Sequence, residues 1–366
     1  MFTVGIRGAG LAGLALAVEL KRRSPDTAIS VFDTRPRLPH PARTFCFFGS
    51  PGDAQGYAPT MRWPLVRFSG RGFRRTIDCR GSPYCLVRGE DFFNTALTFL
   101  EERGVRFFWE GCAVDVSSGG ISFDGVTHRF DGVVDAAFRS EGCTAALWQS
   151  FGGVRIQTSQ PMFDEREALL MDLEESSGES PISFIYKLPF SSTEALVEHT
   201  TFSFSPRPFD EHLRGVWGWL ERQGIGAWRE LEREHGAIPM GTRRGGLPPW
   251  PVIGTAGGGV RAGTGYGFIG IHRQAELLAE ALVARSGRIG RWRFDPTPPW
   301  LRLGDALFLR ALRGYPRRGG ELLGTLLERA SDRDVIAFLS GSPRIVESVR
   351  FMANAPKRLM IGALCR

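Results

Sequence analysis

At 366 residues, with 42% hydrophobic and 23% charged side chains, the chain has the composition of a soluble protein large enough for two domains. Its net charge of +7 comes from arginines that are spread along the sequence. Because no nucleic-acid-binding motif accompanies them, nucleic acid is not the expected partner. The positive charge then indicates either a solvated basic surface or a lipid-facing patch. The six cysteines and six histidines are scattered without ligand spacing, so no metal site is expected.

The start of the chain predicts a Rossmann-type βαβ unit over residues 2–33. An apolar strand precedes the glycines of a G-x-G-x-x-G motif, and an apolar helix follows them. Gly8 permits the tight turn, Gly10 lets the backbone approach a pyrophosphate, and Gly13 lets the helix sit close to the strand. The phosphates then lie at a helix N-terminus. A second apolar strand ends in Asp33, where this fold has the carboxylate that binds a ribose hydroxyl.

The residues predicted to bind the dinucleotide in this unit lie on the glycine loop and just beyond the second strand: Gly8, Ala9, Gly10, Leu11, Ala12, Gly13, Asp33, Thr34 and Arg43. Arg7 departs from the pattern, because it puts a charge at a strand position that is normally apolar or small. Apolar spacing then predicts a helix over 89–103, and strand-like runs continue to 136. We assign residues 1–150 to the N-terminal part of a dinucleotide-binding domain.

The rest of the chain predicts three further regions. Residues 151–245 contain several strand-like runs and form a predicted antiparallel-sheet substrate domain. Residues 246–297 carry a second glycine-rich loop and a helix that complete the FAD-binding domain, which is typical of a flavoprotein, since a simple nicotinamide dehydrogenase needs only the first loop. The cofactor contacts predicted there are Thr255, Ala256, Gly257, Thr264, Gly265 and Tyr266. Residues 298–366 read as a helical, basic and aromatic tail that is a candidate for membrane contact.

The predicted fold is therefore α/β. It combines a Rossmann-like FAD-binding domain of the two-dinucleotide-binding, aromatic-hydroxylase-like type with an antiparallel β-sheet substrate domain and a helical C-terminal segment.

Five short stretches carry a family likeness: 44–47 (TFCF), 148–154 (WQSFGGV), 168–172 (ALLMD), 186–190 with 196–200 (YKLPF, LVEHT), and 238–241 (IPMG) with the second glycine loop. Taken in order, they make the chain similar to the FAD-dependent lycopene cyclases of carotenoid biosynthesis, of the β-cyclase type, over nearly its whole length. Three positions depart from that family. His199 stands where the family has a second acid, 261–263 (RAG) replaces His-Pro-x, and Phe45 replaces tryptophan.

The resemblance implies an acid-catalysed, redox-neutral cyclisation of lycopene, or a related acyclic or monocyclic carotene, to β-type rings. It makes Glu198 the catalytic acid, although a lone strand glutamate is ordinarily solvated. A buried carboxyl keeps its proton, as this chemistry requires. Asp172 is a second candidate, as an acid partner or a positional anchor, and a turn aspartate without such a role is equally open. His199, next to Glu198 on a strand, should point to the opposite face.

The resemblance also implies bound FAD, active in its reduced form, with NAD(P)H as an indirect reductant. The partner is a carotene in the membrane, and other carotenoid-pathway enzymes are further candidate partners. No apolar stretch approaches the roughly 20 residues of a membrane helix, and the chain starts inside its first predicted strand. We therefore expect a cytoplasmic protein without a signal peptide, peripherally associated with the membrane. Some aromatic residues are candidates to line a polyene tunnel, although most of them are expected to be ordinary core: Trp63, Phe184, Tyr186, Phe202, Phe204, Trp217, Trp219 and Phe268.

The C-terminal tail has two interpretations. One is a surface that lies on anionic headgroups; the other is a helical cap over the nucleotide domain with a solvated basic face. The residues in question are Phe308, Leu309, Arg310, Leu312, Arg313, Tyr315, Arg317, Arg318, Phe351, Met352, Lys357, Arg358 and Met360.

Two other functions remain open on the sequence. A flavin oxidoreductase of the same fold, such as a monooxygenase, halogenase or isoprenoid reductase, would share both glycine loops, but its chemistry has no need of Glu198. A non-catalytic carotenoid- or lipid-binding protein would not need the intact glycines of the first loop. An oxidoreductase consumes reduced nicotinamide with every turnover, whereas a cyclase only needs its flavin kept reduced.

Overall fold

The computed structural model describes residues 1–37, 43–49, 57–70, 72–112, 114–140, 143–174, 176–241, 248–341 and 343–364. Its strands, in chain order, are β1 (Thr3–Arg7), β2 (Ala28–Phe32), β3 (Thr44–Phe48), β4 (Met61–Trp63), β5 (Leu65–Gly70), β6 (Phe73–Asp78), β7 (Tyr84–Arg88), β8 (Arg106–Phe108), β9 (Val114–Ser117), β10 (Gly120–Phe123), β11 (Val126–Arg129), β12 (Gly132–Asp135), β13 (Leu147–Thr158), β14 (Glu167–Leu173), β15 (Ile182–Pro189), β16 (Glu194–Ser203) and β17 (Trp228–Met240). Its helices are α1 (Leu11–Arg23), α2 (Gly89–Glu101), α3 (Phe209–Arg222), α4 (Gly254–Gly257), α5 (Phe268–Ala284), α6 (Pro299–Gly314), α7 (Gly319–Arg329), α8 (Asp332–Ser340), α9 (Ile345–Ala353) and α10 (Lys357–Leu364).

The predicted βαβ unit is present at the N-terminus. β1 and β2 are parallel neighbours joined by α1, within a four-stranded parallel sheet of order β12-β1-β2-β8. α1 packs against α2 and α5, and its alanine and leucine side chains are buried in one hydrophobic core with theirs. Small side chains on α1 allow this close approach, which brings the helix that follows the second glycine loop beside the helix that follows the first.

The structure explains the charge at Arg7. β1 and β12 pair in a register that sets Arg7 opposite Asp135, and the two side chains form a bidentate, largely buried ion pair. The guanidinium also donates to the carbonyl of Val114 at 3.3 Å. A paired and hydrogen-bonded charge is tolerated at a strand end where an isolated one would be costly.

A seven-stranded sheet of order β17-β13-β16-β15-β14-β5-β6 forms the second layer. Its strands from residues 147–240 pair antiparallel, as the sequence predicts. β5 and β6 extend it through a parallel pairing of β5 with β14. The assignment of all of residues 1–150 to the FAD-binding domain therefore needs correction at β5 and β6, because a pairing between strands about a hundred residues apart leaves no local sequence pattern.

The two faces of this sheet have different covers. α3 packs on one face, against the side chains of β13, β15 and β16 that point to it. The C-terminal helices pack on the other face, where Phe308, Leu312, Leu326 and Phe351 join the core of the sheet. Phe308, Leu309, Leu312 and Phe351 are each at most 6% exposed. These four residues of the predicted membrane surface are thus core, since the inner side of each amphipathic helix faces the sheet.

The small sheet β3-β7-β4 lies between the two layers. The rings of Phe45 and Phe47 each stack on Phe268 of α5 with centroids 5.4 Å apart. Phe45 thus keeps an aromatic contact at the position where the family has tryptophan.

Among the described residues, no helix is both long and apolar enough to cross a bilayer.

Candidate active site

One cavity of about 640 Å³ connects the two layers. It runs from the first glycine loop, past the second, to the face of the seven-stranded sheet that the C-terminal helices cover. Its first half is lined by backbone and polar groups and its second half by aromatic and aliphatic side chains. A polar ligand and an apolar ligand can therefore meet in it.

The first glycine loop is shaped for a phosphate group. Gly8 has φ +99°, and a Cβ there would approach the backbone of Ala137 to 3.0 Å. A Cβ on Gly13 would lie 1.9 Å from the carbonyl oxygen of Gly8, so the helix can start here only because Gly13 is bare. Gly10 is the N-cap of α1 and makes no side-chain cap, which leaves the N-terminal N–H groups facing the cavity.

Asp33 supports the same loop. Its carboxylate accepts hydrogen bonds from the backbone N–H of Ala9 at 2.7 Å and of Arg35 at 2.8 Å, and from the Arg35 guanidinium. Burial alone would raise the pKa of Asp33, but the hydrogen bonds and charge of Arg35 outweigh it and hold the pKa below its ordinary value. The group is an anion at the cavity wall, as recognition of a ribose hydroxyl requires.

The second glycine loop reaches the cavity from the opposite side. Gly254 has φ +74°, and its Cβ position lies 2.8 Å from the Cβ of Ala12, so the two loops touch. Of the predicted contacts, four line the cavity, namely Thr255, Thr264, Gly265 and Tyr266. Ala256 and Gly257 do not line it, and Gly257 packs instead on the carbonyl of Val252.

Gln149 lies in the family-like stretch 148–154, but the sequence analysis did not count it among the cofactor contacts. It lines the cavity beside Gly265, whose Cβ position lies 2.0 Å from Gln149 Oε1. That oxygen is buried and has no hydrogen-bond partner among the described residues. An unpaired buried acceptor is costly, so it fits an N–H group of a bound ligand. The bare loops, the helix terminus, Asp33 and this acceptor together fit a dinucleotide that carries a hydrogen-bonding ring.

Glu198 lies at the centre of β16, on the wall of the apolar half of the cavity. It is 8% exposed, and it accepts one hydrogen bond, from Thr200 Oγ1 at 2.9 Å. Burial, reinforced by the carboxyl of Glu234, holds the pKa of Glu198 well above its ordinary value. Both influences favour the protonated form of the side chain.

Glu234 is a second carboxyl beside Glu198 on the cavity wall, and the sequence analysis missed it. β13 lies between β16 and β17, and its Gly153 is in register with both Glu198 and Glu234. Both carboxyls thus point to the same face across a residue that has no side chain. The sequence signal was weak, because residues 229–235 are mostly charged, with acidic and basic side chains mixed, in a way typical of a solvated strand.

The surroundings of Glu234 differ from those of Glu198. It accepts from Thr44 Oγ1 at 3.0 Å and from the backbone of Thr44. Arg43, predicted as a cofactor contact, lines the cavity and donates to the carbonyl of His235 at 2.8 Å. Burial raises the pKa of Glu234, while Thr44 and the charge of Arg43 act in the opposite direction. The hydrogen bonds of Thr44 and the charge of Arg43 therefore stabilise the ionised form of Glu234 more than any group stabilises that of Glu198.

Asp172 lies on the opposite face of the sheet. Its oxygens accept from Ser69 Oγ at 2.7 Å and from Trp219 Nε1 of α3 at 2.9 Å, and it does not line the cavity. The expectation that Asp172 partners Glu198 as an acid is corrected by this geometry, which leaves it an anchor between β5, β14 and α3. The prediction for His199 is confirmed: it faces away from the cavity, with its ring on Ser183 and His212 at 2.8 and 3.1 Å.

A cluster of phenols faces the carboxyl pair. Tyr84 Oη lies 2.7 Å from Tyr186 Oη and 3.2 Å from Tyr266 Oη, and Tyr186 stands directly opposite Glu198 in the β15–β16 register. Burial raises the pKa of Tyr84, Tyr186 and Tyr266, and it raises the pKa of Cys46 beside them to about 12. All four groups stay neutral, so the rings offer electron-rich faces without adding a base.

The predicted tunnel aromatics divide into two groups. Phe184, Tyr186, Phe202 and Phe268 line the cavity. Trp63 lies in the core behind it, Phe204 is 43% exposed, and Trp217 and Trp219 belong to α3 on the far face of the sheet. The far end of the cavity is closed by side chains of the C-terminal helices: Phe308, Leu323, Leu326, Leu327, Phe338, Leu339, Phe351 and Met352.

The departure at Arg261 has a structural role. Its guanidinium forms a bidentate ion pair with Asp305 of α6, at 2.9 and 3.0 Å, and donates to the carbonyl of Phe338. It also lies 4.1 Å from the centroid of the Phe338 ring. Arg261 is 5% exposed and Asp305 is 1% exposed. The side chain therefore points away from the cofactor half of the cavity and ties the second glycine loop to the helices that close the other half.

The fold and its two glycine loops have the architecture of the FAD-binding flavoprotein fold. A geranylgeranyl bacteriochlorophyll reductase-like protein from Thermoplasma acidophilum aligns over 100% of this chain and 98% of its own, with TM-score 0.66 and 14% identity. The halogenase PltM in complex with FAD aligns over 100% and 92%, with TM-score 0.64 and 12% identity. At these identities the likeness shows the fold alone, and it confirms the predicted α/β flavoprotein architecture.

Sequence comparison is more specific. The family described as lycopene cyclase protein matches residues 4–317, and the chain belongs to that family, as the resemblance predicted. The chloroplastic lycopene beta cyclase of Nicotiana tabacum is 30% identical over 243 residues, which is 60% of this chain and 45% of the tobacco protein. The lycopene beta-cyclase of a Paracoccus species is 26% identical over 295 residues, covering 75% of this chain and 72% of its own. The chain thus spans under half the length of its tobacco relative.

Proposed function

We propose that the protein is a lycopene cyclase that closes β-type rings on the ψ-end groups of lycopene, or of a related acyclic or monocyclic carotene, to give γ-carotene, β-carotene or both. The observation that carries the proposal is the buried Glu198, a carboxyl with a raised pKa at the wall of an apolar, aromatic cavity that is continuous with a dinucleotide site. Family membership supports the same reaction.

The cavity has what an acid-catalysed cyclisation of a hydrocarbon needs. Protonated Glu198 donates a proton to the terminal double bond, and a neighbouring alkene then attacks the tertiary cation. The rings of Phe184, Phe202 and Tyr186 line the same space and stabilise positive charge through their faces. Water, which would capture the cation, is excluded by the apolar side chains of the C-terminal helices.

The proposal includes FAD as the cofactor. The residues that would hold it are the first glycine loop with the N-terminus of α1, Asp33, the second glycine loop and Gln149. When bound and reduced, the flavin supplies an electron-rich ring that stabilises positive charge beside the substrate. NAD(P)H is proposed as the indirect reductant. It keeps the flavin reduced, and its oxidation is not coupled one-to-one to the formation of product.

Expression of the chain in lycopene-accumulating bacteria tests the function. We expect lycopene to be converted to monocyclic or bicyclic carotenes, and the purified protein to release FAD on denaturation. In anaerobic assays with reduced FAD, product should form without stoichiometric oxidation of reduced nicotinamide. Unchanged lycopene from a folded, flavin-containing protein, or one nicotinamide oxidised per product, would instead assign the chain to the oxidoreductases of this fold.

We also propose that the protein docks on the membrane that holds its substrate, through an apolar patch on α6 and α9. The patch consists of exposed side chains: Trp300, Leu303, Ile345, Val346 and Val349, which are 39%, 63%, 54%, 62% and 62% exposed. The exposed arginines 302 and 344 flank it, which suits anionic headgroups. Met352, one turn beyond Val349 on α9, lines the cavity. A polyene that leaves the bilayer beneath α9 would therefore enter the cavity that contains Glu198.

Replacing Val346 and Val349 together with aspartate is expected to weaken binding to vesicles of phosphatidylcholine and phosphatidylglycerol at least about tenfold, since each change removes apolar contact and adds repulsion. Vesicle flotation or sedimentation measures it. Val126→Asp is the matched control, because Val126 is 61% exposed on β11, away from the patch. Equal binding by the double variant and the control would rule out this patch as the docking surface.

A further inference from the structure

Glu198 and Glu234, the buried carboxyls in the apolar half of the cavity, form a pair that the known family motif does not contain. The motif's second acid is replaced by His199, which faces away from the cavity. Glu234 comes from a different strand and reaches the same face, two strands from Glu198, with Gly153 between them in register. A Cβ on Gly153 would lie 2.9 Å from the Cβ of Glu198. The missing side chain thus leaves the space between the two carboxyls open.

The pair is asymmetric in its hydrogen bonds. Glu198 accepts from Thr200 Oγ1 within the same strand, the charge of Arg43 acts on it less strongly than burial does, and phenol and phenyl rings line the same apolar space. Glu234 accepts from the hydroxyl and the backbone of Thr44 and lies near Arg43. Donors and a nearby cation stabilise the charged form of a carboxyl, whereas an apolar wall stabilises the neutral form. The proton therefore belongs on Glu198 and the negative charge on Glu234.

We propose that Glu198 and Glu234 share one proton and act as the acid and the base of the same turnover, so that Glu234 is a second catalytic residue. This inference rests on the proposed cyclase function. The substrate lies between a proton donor and a proton acceptor on one sheet face. Arg43 and Thr44 position the acceptor and keep it charged until the cation forms.

The proton balance of the turnover closes within the pair. Glu198 gives its proton to the terminal alkene carbon, a C–H bond forms, and both carboxylates are then charged beside the carbocation. The neighbouring alkene attacks, the C–C bond closes the ring, and the positive charge moves onto the ring. Glu234 takes a proton from the adjacent ring carbon, the electrons of that C–H bond form the ring double bond, and Glu234 becomes neutral. After the product leaves, Glu234 releases this proton and Glu198 takes one up, which restores the starting state without a net proton, electron or co-reactant.

The shared proton can be tested without substrate. Infrared spectra of the purified holoenzyme, titrated with pH, report the C=O stretch of a protonated carboxylic acid. We expect that signal at neutral pH in the wild type and its loss in Glu198→Gln. In Glu234→Gln the signal should titrate at lower pH by about 1–3 pH units, because a neighbouring negative charge has been removed. An unchanged midpoint in Glu234→Gln, or a signal that disappears with Glu234 and not with Glu198, would overturn the assignment.

Activity tests the base. Glu234→Gln should lower the yield of cyclised carotene at neutral pH by about 100-fold or more, and Glu234→Asp should restore part of it. Glu230→Gln is the matched control on the same strand, since Glu230 pairs with Arg233 at the surface. Wild-type turnover and pH profile in Glu234→Gln would refute the base role. A wild type that never cyclises lycopene, yet shows the expected infrared titration, would refute the cyclase function while leaving the shared proton standing.

Discussion

Glu198→Gln is expected to abolish ring formation. Glutamine matches the shape of protonated glutamate but holds no transferable proton, so the terminal alkene is not protonated and lycopene accumulates unchanged. Loss of a general acid costs about 10²- to 10⁴-fold in rate, which in a cellular pigment assay appears as loss of cyclised product. Pigment extraction and chromatography from lycopene-accumulating bacteria, with wild type and variant at equal protein levels, is the measurement.

The same substitution is expected to leave the fold intact or more stable. Because the pKa of Glu198 is raised in the folded protein, its contribution to stability is fully present below the unfolded pKa and is lost as pH rises through the folded pKa. Glutamine does not ionise, so the thermal midpoint of the variant should gain on the wild type as pH rises. Activity of the wild type should fall over the same rise in pH.

Glu194→Gln is the matched control for this prediction. Glu194 lies on the same strand, half-buried beside Arg155 at its edge and outside the cavity, so its variant should cyclise lycopene like the wild type. Cyclised product from Glu198→Gln at the wild-type level would move the acid elsewhere in the cavity. Glu234 would then be the first candidate, because Asp172 lies on the other face of the sheet.

The parts of the fold that follow from local sequence were predictable. The βαβ unit is indicated by a strand, three spaced glycines, an apolar helix and a second strand that ends in Asp33, all within 33 residues. Glu198 was found because a family motif surrounds it and because its strand alternates. The position of His199 followed from the two-residue period of a strand alone.

The parts that rest on distant pairings were not predictable. Arg7 needs Asp135, 128 residues away, and the carboxyl pair needs two strands to flank β13 in one register. No local pattern records either arrangement. The same holds for β5, whose alternation predicts a strand but not its parallel neighbour β14.

The C-terminal tail shows a related limit. Its helices mix apolar and basic residues, and composition alone does not say which side of each helix meets the protein. Phe308 and Phe351 turned out to face the sheet, while Val346 and Val349 face outward. The membrane proposal therefore loses four apolar residues of the expected surface, Phe308, Leu309, Leu312 and Phe351, which are buried, while the basic residues of that surface stay exposed.

The buried ion pair between Arg261 and Asp305 gives the second large expected effect. Asp305→Asn leaves the Arg261 charge buried without its partner, which should lower the free energy of unfolding by about 3–5 kcal/mol. Asparagine has nearly the same volume as aspartate, so the substitution adds no bulk. A larger side chain at position 305 would not fit, because Asp305 Oδ1 already reaches to 2.3 Å from the place where a Cβ on Gly263 would lie. Thermal and urea unfolding measure the loss. Because Arg261 belongs to the second glycine loop, flavin affinity should fall as well.

The double variant Arg261→Met with Asp305→Asn separates a buried charge from lost packing. It removes both charges, and methionine retains much of the arginine stem over the Phe338 ring. We therefore expect it to be less destabilised than Asp305→Asn alone, even though it carries one more substitution. If the double variant is instead as unstable as the two single variants combined, the charges contribute independently, and the loop would be held by packing against Phe338. The order of these variants in free energy of unfolding thus shows whether the second glycine loop is held to the helices that close the cavity by an ion pair or by packing.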